Sequence, residues 1–157
     1  MITCTIFKIE EEINHSGLGR AALSKLLKYM GIEEKLVVSS QGKPYLSSNA
    51  KYVSSSHSGK YLICAIADQP IGIDIEKVRK LHPGIIARLQ LKERPFEQWT
   101  LREAMTKLTD NPLTMFEEVK FDQRNMRLID VDPDYVCVIV SDREIDELTV
   151  IKGGYYE

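Results

Sequence analysis

The chain has 157 residues, enough for one domain with a working core, and its 43% apolar and 28% charged residues are those of a soluble globular protein. That balance excludes a disordered chain, and no apolar run approaches the roughly 20 residues needed to cross a bilayer. The net charge of −2 hides an asymmetry, with 8 Lys/Arg against 5 Asp/Glu in residues 1–60, 8 against 7 in 61–110 and 5 against 11 in 111–157. A mildly basic front suits a small anionic ligand or an acidic partner, although charge alone is equally met by a solvated surface. It is too weak a charge for a nucleic-acid binder.

The first residues, "MITCTIFKIEEEI", hold three acids where a secretory leader needs a basic start and an apolar stretch, so a cytoplasmic protein is expected. Residues 2–9 are rich in β-branched side chains and predict a strand. "SGLGRAALSKLLKYMG" then spaces Leu23, Leu26, Leu27 and Met30 at helical intervals, with Gly31 as the stop. "KLVVSS" (35–40) predicts a short strand and "QGKPYL" a turn. Residues 51–77 contain three strand-like runs separated by "SSHSGK" and "ADQP". After Glu76 the pattern turns helical, briefly in "PGIIARLQL" and for longer in "FEQWTLREAMTKL" (96–108), where Leu101, Ala104, Met105 and Leu108 share a face. "FEEVKFD", "MRLIDV", "YVCVIVS" and "LTVIK" predict strands in the remainder. Strand, helix and sheet therefore recur on both sides of residue 77, which predicts an α+β domain over 1–157 with halves of about 1–77 and 78–157 around a shared core.

Cys4, Cys64 and Cys137 are far apart, form no CxxC pair and sit among apolar or β-branched neighbours, which predicts buried, reduced thiols. His15 and His82 have no acid or Cys at ligand spacing and read as surface residues.

Three constellations could carry chemistry. In "IGIDIEK" (71–77) the strand period puts Asp74 and Glu76 on one face, ~6–7 Å apart, with Ile71, Ile73 and Ile75 on the other. This pattern fits either a half-exposed strand with its acids in water or two of the hard oxygen ligands of a divalent metal. In the helix over 96–108, Glu103 and Lys107 are neighbours on one polar face beside Thr100, as a surface ion pair or as a third carboxylate and a phosphate-neutralising ammonium. "SSSHSGK" (54–60) is either a plain polar hairpin turn or a phosphate-holding one to which His57 or Lys60 adds charge. It lacks the spacing of a P-loop.

Taken in order, "GKPYL", "SSHSGKYLICAI", "PIGIDIEK" and "WTLREAMTK" resemble the 4′-phosphopantetheinyl transferases, in particular the Sfp-type branch, in a shortened form. The resemblance spans about residues 42–108. It implies Mg²⁺-dependent transfer of 4′-phosphopantetheine from coenzyme A to a serine of an acyl or peptidyl carrier protein, with release of adenosine 3′,5′-bisphosphate. It also implies a pseudo-dimeric α+β fold of two similar halves, able to work as a monomer.

Carried over by position, Asp74, Glu76 and Glu103 would hold the metal, with Glu103 also the general base. Lys107 would contact phosphate, Ser56 and His57 the phosphates of coenzyme A, and Lys43 and Pro44 its nucleotide end. Arg20, on the first helix, could reach a phosphate, though no motif anchors it. Arg102 stands where the family has a lysine, and the segment from Glu76 to Glu103 is shorter than in Sfp-type enzymes. The alternative is therefore a homologue that binds coenzyme A or a carrier domain without transferring anything. A general Mg²⁺-dependent phosphohydrolase would account for the carboxylates but not for "GKP" or "SHS".

Overall fold

A computed structural model describes residues 1–10, 17–40, 42–48 and 50–155. His15 lies outside the described residues. The elements in chain order are β1 (Ile2–Lys8), α1 (Leu18–Tyr29), β2 (Leu36–Val38), β3 (Pro44–Leu46), β4 (Tyr52–Ser58), β5 (Tyr61–Ala67) and β6 (Ile71–Lys77). They continue with α2 (Pro83–Arg88), α3 (Pro95–Thr109), a 3₁₀ turn (Pro112–Phe116), β7 (Met126–Leu128), β8 (Tyr135–Ser141) and β9 (Leu148–Tyr155).

Two sheets form the centre. One has the order β4-β5-β1-β9, with β9 parallel to β1 and the other pairs antiparallel; the other has the order β6-β8-β7 and is antiparallel. β2 and β3 make a separate ribbon. The strand period of two distributes the apolar residues among three clusters. Ile63 and Ala65 of β5, Ile2, Cys4 and Ile6 of β1, Ile71, Ile73 and Ile75 of β6 and Cys137 and Ile139 of β8 meet between the two sheets. Leu62, Cys64 and Ile66, on the opposite face of β5, receive Ala22, Leu23, Leu26 and Leu27 of α1. Val138 and Val140 of β8 receive Leu101 and Ala104 of α3. The result is a helix–sheet–sheet–helix stack, consistent with the α+β class expected, in which each sheet carries one long helix on its outer face. β6 pairs with β8 and β9 with β1, so each sheet draws strands from both sides of residue 77.

β5 is buried along its whole length and β8 along all but Val136, and the three cysteines, expected to be buried and reduced, are buried free thiols. Burial pushes the thiols of Cys4 and Cys64 up to about 12, far from reactive thiolates.

Three expectations are corrected. "QGKPYL" is a turn only at its start, where Gly42 has φ +85°; Pro44–Leu46 goes on to pair with Leu36–Val38. "FEEVKFD" is not a strand. The peptide of Val119 is satisfied by the side chain of Gln98, whose Oε1 accepts from Val119 N–H at 2.9 Å and whose Nε2 donates to Val119 C=O at 2.8 Å. A side-chain amide thus takes the place of a neighbouring strand. Finally, residues 54–58 of "SSSHSGK" lie inside β4, and the turn itself is confined to Gly59 and Lys60.

Candidate active site

The face of β6 opposite its three isoleucines holds Gly72, Asp74 and Glu76, and α3 lies across it. Gly72 permits the close approach. A Cβ there would stand 2.0 Å from the carbonyl oxygen of Ala104 and 2.7 Å from the amide nitrogen of Leu108. The helix turn that touches Gly72 is the one that carries Glu103 and Lys107, so this contact brings both beside Asp74.

On its other side β6 is a sheet edge, and its outward N–H groups are taken by serines of β4. Ile73 N–H donates to Ser54 Oγ at 3.0 Å, Ile75 N–H to Ser56 Oγ at 3.0 Å and Lys77 N–H to Ser58 Oγ at 2.9 Å. Alternate hydroxyls thus do the work of a missing strand and join the two sheets.

Asp74 is 3% exposed, so the solvated-face alternative does not hold for it. Its Oδ1 accepts from Ser56 Oγ and from Lys107 Nζ, each at 3.1 Å, and Lys107 Nζ also donates to Ser55 C=O at 3.1 Å. Asp74 Oδ2 is buried without a hydrogen-bond partner. Burial raises the pKa of Asp74, against the opposing pull of Lys107. Glu76, half-buried, is pushed up to about 8 by burial and by the charge of Asp74. Glu103 is raised by burial and by Asp74. Asp74 is thus paired with Lys107 and Glu76 with Arg79, so three carboxyls face two side-chain cations.

A cavity of about 480 Å³ opens over these groups, and Pro44, Ser56, His57, Asp74, Glu76, Glu103 and Lys107 all line it. Seven of the eight residues given roles by the resemblance therefore meet at one place, whereas Lys60 and Thr100 are not in the lining. The eighth, Lys43, is not in the lining; its Nζ lies 3.4 Å from Leu108 C=O and burial lowers its pKa. Arg20, which no motif had anchored, does line the cavity, as do Gly17 and Gly19 at the start of α1. Gly19 lets α1 close on β4, since a Cβ there would stand 2.6 Å from Ser55 Oγ.

Arg102 faces elsewhere. It is 2% exposed and donates through Nη1 to Leu89 C=O at 2.6 Å and Met115 C=O at 3.0 Å, and through Nε to Gln98 Oε1 at 2.8 Å. It ties α3 to the end of α2 and to the 3₁₀ turn, a role that its sequence position did not signal. A larger cavity of about 1040 Å³ lies on that side. Its lining sets Lys92, Arg94, Arg102 and Lys120 against Glu93, Glu97 and Glu118, and Arg102 is already engaged by Leu89, Met115 and Gln98.

Three carboxyls lining one cavity, with Asp74 Oδ2 buried and unpartnered and with Glu76 and Glu103 raised by burial and by Asp74, fit a hard divalent cation in chemistry. As placed, however, the described residues contain no group of three or more His, Cys, Asp or Glu side chains close enough to hold a metal.

No family model matches the chain. Among curated proteins, it is 44% identical over 50 residues to a 4′-phosphopantetheinyl transferase of Bacillus subtilis, covering 31% of this chain and 21% of that protein. It is 31% identical over 81 residues to the 4′-phosphopantetheinyl transferase gsp of Aneurinibacillus migulanus, covering 42% of this chain and 34% of the relative. With the 4′-phosphopantetheinyl transferase Sfp of Bacillus subtilis (strain 168) it shares 27% identity over 118 residues, covering 72% of this chain and 50% of that protein. The resemblance to the Sfp-type 4′-phosphopantetheinyl transferases, read first from four ordered motifs, is thus borne out by these relatives. The chain spans half or less of the length of each of them.

Proposed function

We propose that the protein transfers 4′-phosphopantetheine from coenzyme A to a serine hydroxyl of an acyl or peptidyl carrier protein, with Mg²⁺, releasing adenosine 3′,5′-bisphosphate. The observation that carries this reading is the single cavity in which residues from four separate motifs meet: Pro44, then Ser56 and His57, then Asp74 and Glu76, then Glu103 and Lys107.

Asp74, Glu76 and Glu103 are the residues that would hold Mg²⁺, and the bound ion would neutralise charge on the pyrophosphate of coenzyme A. The remaining chemistry belongs to the chain. Glu103, its carboxyl raised by burial and by Asp74, is poised as a general base and takes the proton of the carrier serine hydroxyl. The serine oxygen attacks the β-phosphorus in line, the new O–P bond forms, and the bond to the bisphosphate oxygen breaks. Lys107 spends two of its three N–H donors on Asp74 and Ser55 and offers the third to the departing phosphate. Ser56, His57 and Arg20, which also line the cavity, would face the anionic substrate.

The same reading makes the protein a cytoplasmic monomer of two similar halves whose partners are coenzyme A and an acidic carrier, with no nucleic acid or membrane. Among the described residues, no helix is long and apolar enough to cross a membrane.

The test is incubation with coenzyme A, Mg²⁺ and a panel of apo carrier proteins, read by mass spectrometry for phosphopantetheine addition. An adduct is expected on at least one carrier, and it should disappear in Asp74→Ala and Glu103→Ala while the fold persists. Coenzyme A binding with no adduct on any carrier would establish the non-transferring alternative, and full transfer by either variant would remove the assigned roles.

A further inference from the structure

Arg79, just beyond the end of β6, joins one of the cavity's carboxylates to the head of α3. Its Nη1 lies 3.4 Å from Glu76 Oε2, and its guanidinium carbon sits 5.0 Å from the ring centre of Trp99 and 6.0 Å from that of Phe96. The two rings are themselves in contact, with centroids 5.8 Å apart and planes tilted by 50°. Trp99 is four residues before Glu103 on the same helix, so the stack lies one turn away from that carboxylate.

Glu76 needs such a partner. It stands two residues from Asp74 on the same face of β6, close enough for the two carboxyls to interact, and Arg79 is the cation that draws it away from that neighbour. A guanidinium can hold it because it is planar and always charged: one edge donates to the carboxylate while its face rests on the aromatic rings. A lysine keeps the charge but has no plane to stack.

We propose that Arg79 is a positioning residue, fixing the Glu76 carboxylate in the cavity by anchoring it to Trp99 and Phe96, so that it is held ready to bind a divalent cation beside Asp74. This inference rests on the metal-binding role of Asp74 and Glu76 proposed above. Arg79 is not among the residues lining the cavity, and its half-exposed side chain is not part of the buried core.

The experiment measures Mn²⁺ affinity of the full chain by electron paramagnetic resonance of the free ion, alongside the thermal midpoint, for the wild type, Arg79→Ala, Arg79→Lys and Glu76→Gln. Loss of a partner that orients a metal ligand weakens binding by roughly 10–100-fold, and that is the effect expected in Arg79→Ala with a near-native thermal midpoint. Arg79→Lys should fall between Arg79→Ala and the wild type. If Arg79→Ala binds Mn²⁺ as the wild type does while Glu76→Gln does not, the positioning role is overturned and the metal site stands. If Arg79→Lys binds as the wild type does and Arg79→Ala does not, charge alone suffices and the stacked anchor is overturned. A wild type that binds no Mn²⁺, or that is unaffected by Glu76→Gln, overturns the metal site and this inference together.

Discussion

Gly72 and Ala104 are in backbone contact: a Cβ on Gly72 would lie 2.0 Å from the carbonyl oxygen of Ala104, a distance no side chain can occupy. This contact seats α3 on β6, and α3 brings Glu103 and Lys107 to the cavity. Gly72→Ala must therefore push the helix away. Overpacking of this kind costs about 1–3 kcal/mol or more. A lowered urea midpoint is expected, with a loss of transfer activity larger than the lost stability explains, because the carboxylates separate before the fold fails. Wild-type stability in Gly72→Ala would show that α3 is not seated by this contact.

Lys107 and Asp74 form a pair in which one side chain is 4% and the other 32% exposed. Removing the ammonium in Lys107→Ala leaves Asp74 buried with an uncompensated charge, a change that costs about 3–5 kcal/mol for fully buried pairs and less here, where solvent reaches the lysine. Asp74→Asn removes the charge that Lys107→Ala strands, so the double variant should recover stability over Lys107→Ala alone, as read by denaturant melts. Transfer should stay lost in all three proteins. Additive destabilisation in the double variant would mean that the two side chains are not energetically coupled.

How far the sequence already contained this arrangement depends on the kind of contact. Asp74, Glu76, Glu103 and Lys107 were legible because strand and helix periods fix which residues share a face. That the two faces meet was not, since it depends on the missing side chain at position 72 and on the fold of the whole sheet. The serines of "SSSHS" were read as belonging to a turn because hydroxyl-rich segments so often are. Their spacing of two, matched by that of "IGIDIEK", was the available sign of a strand lying along another strand's edge, where Ser54, Ser56 and Ser58 accept the N–H groups of Ile73, Ile75 and Lys77. Arg102 reads as a polar helix residue until its carbonyl partners, Leu89 and Met115, are known. Both partners are 13 residues away in the chain, and no local pattern points to them.

The three cavity carboxyls also set a pH dependence. Glu76 is raised from its ordinary 4.5 to about 8, and Asp74 and Glu103 are raised as well. The folded protein thus keeps protons that the unfolded chain has already released. For Glu76 the contribution to stability is fully present below its unfolded pKa of about 4.5 and is lost as pH rises through about 8, and those of Asp74 and Glu103 fall in the same direction. Metal-free protein in chelator should therefore have a higher thermal midpoint at about pH 5 than at about pH 8.5, each kcal/mol lost lowering it by roughly 2–4 °C in a chain of this size. Glu76→Gln removes a group that titrates inside this window and should flatten the slope between those two values. A thermal midpoint that rises with pH across this range, or a Glu76→Gln slope equal to that of the wild type, would show that the carboxylates are already compensated in the metal-free fold.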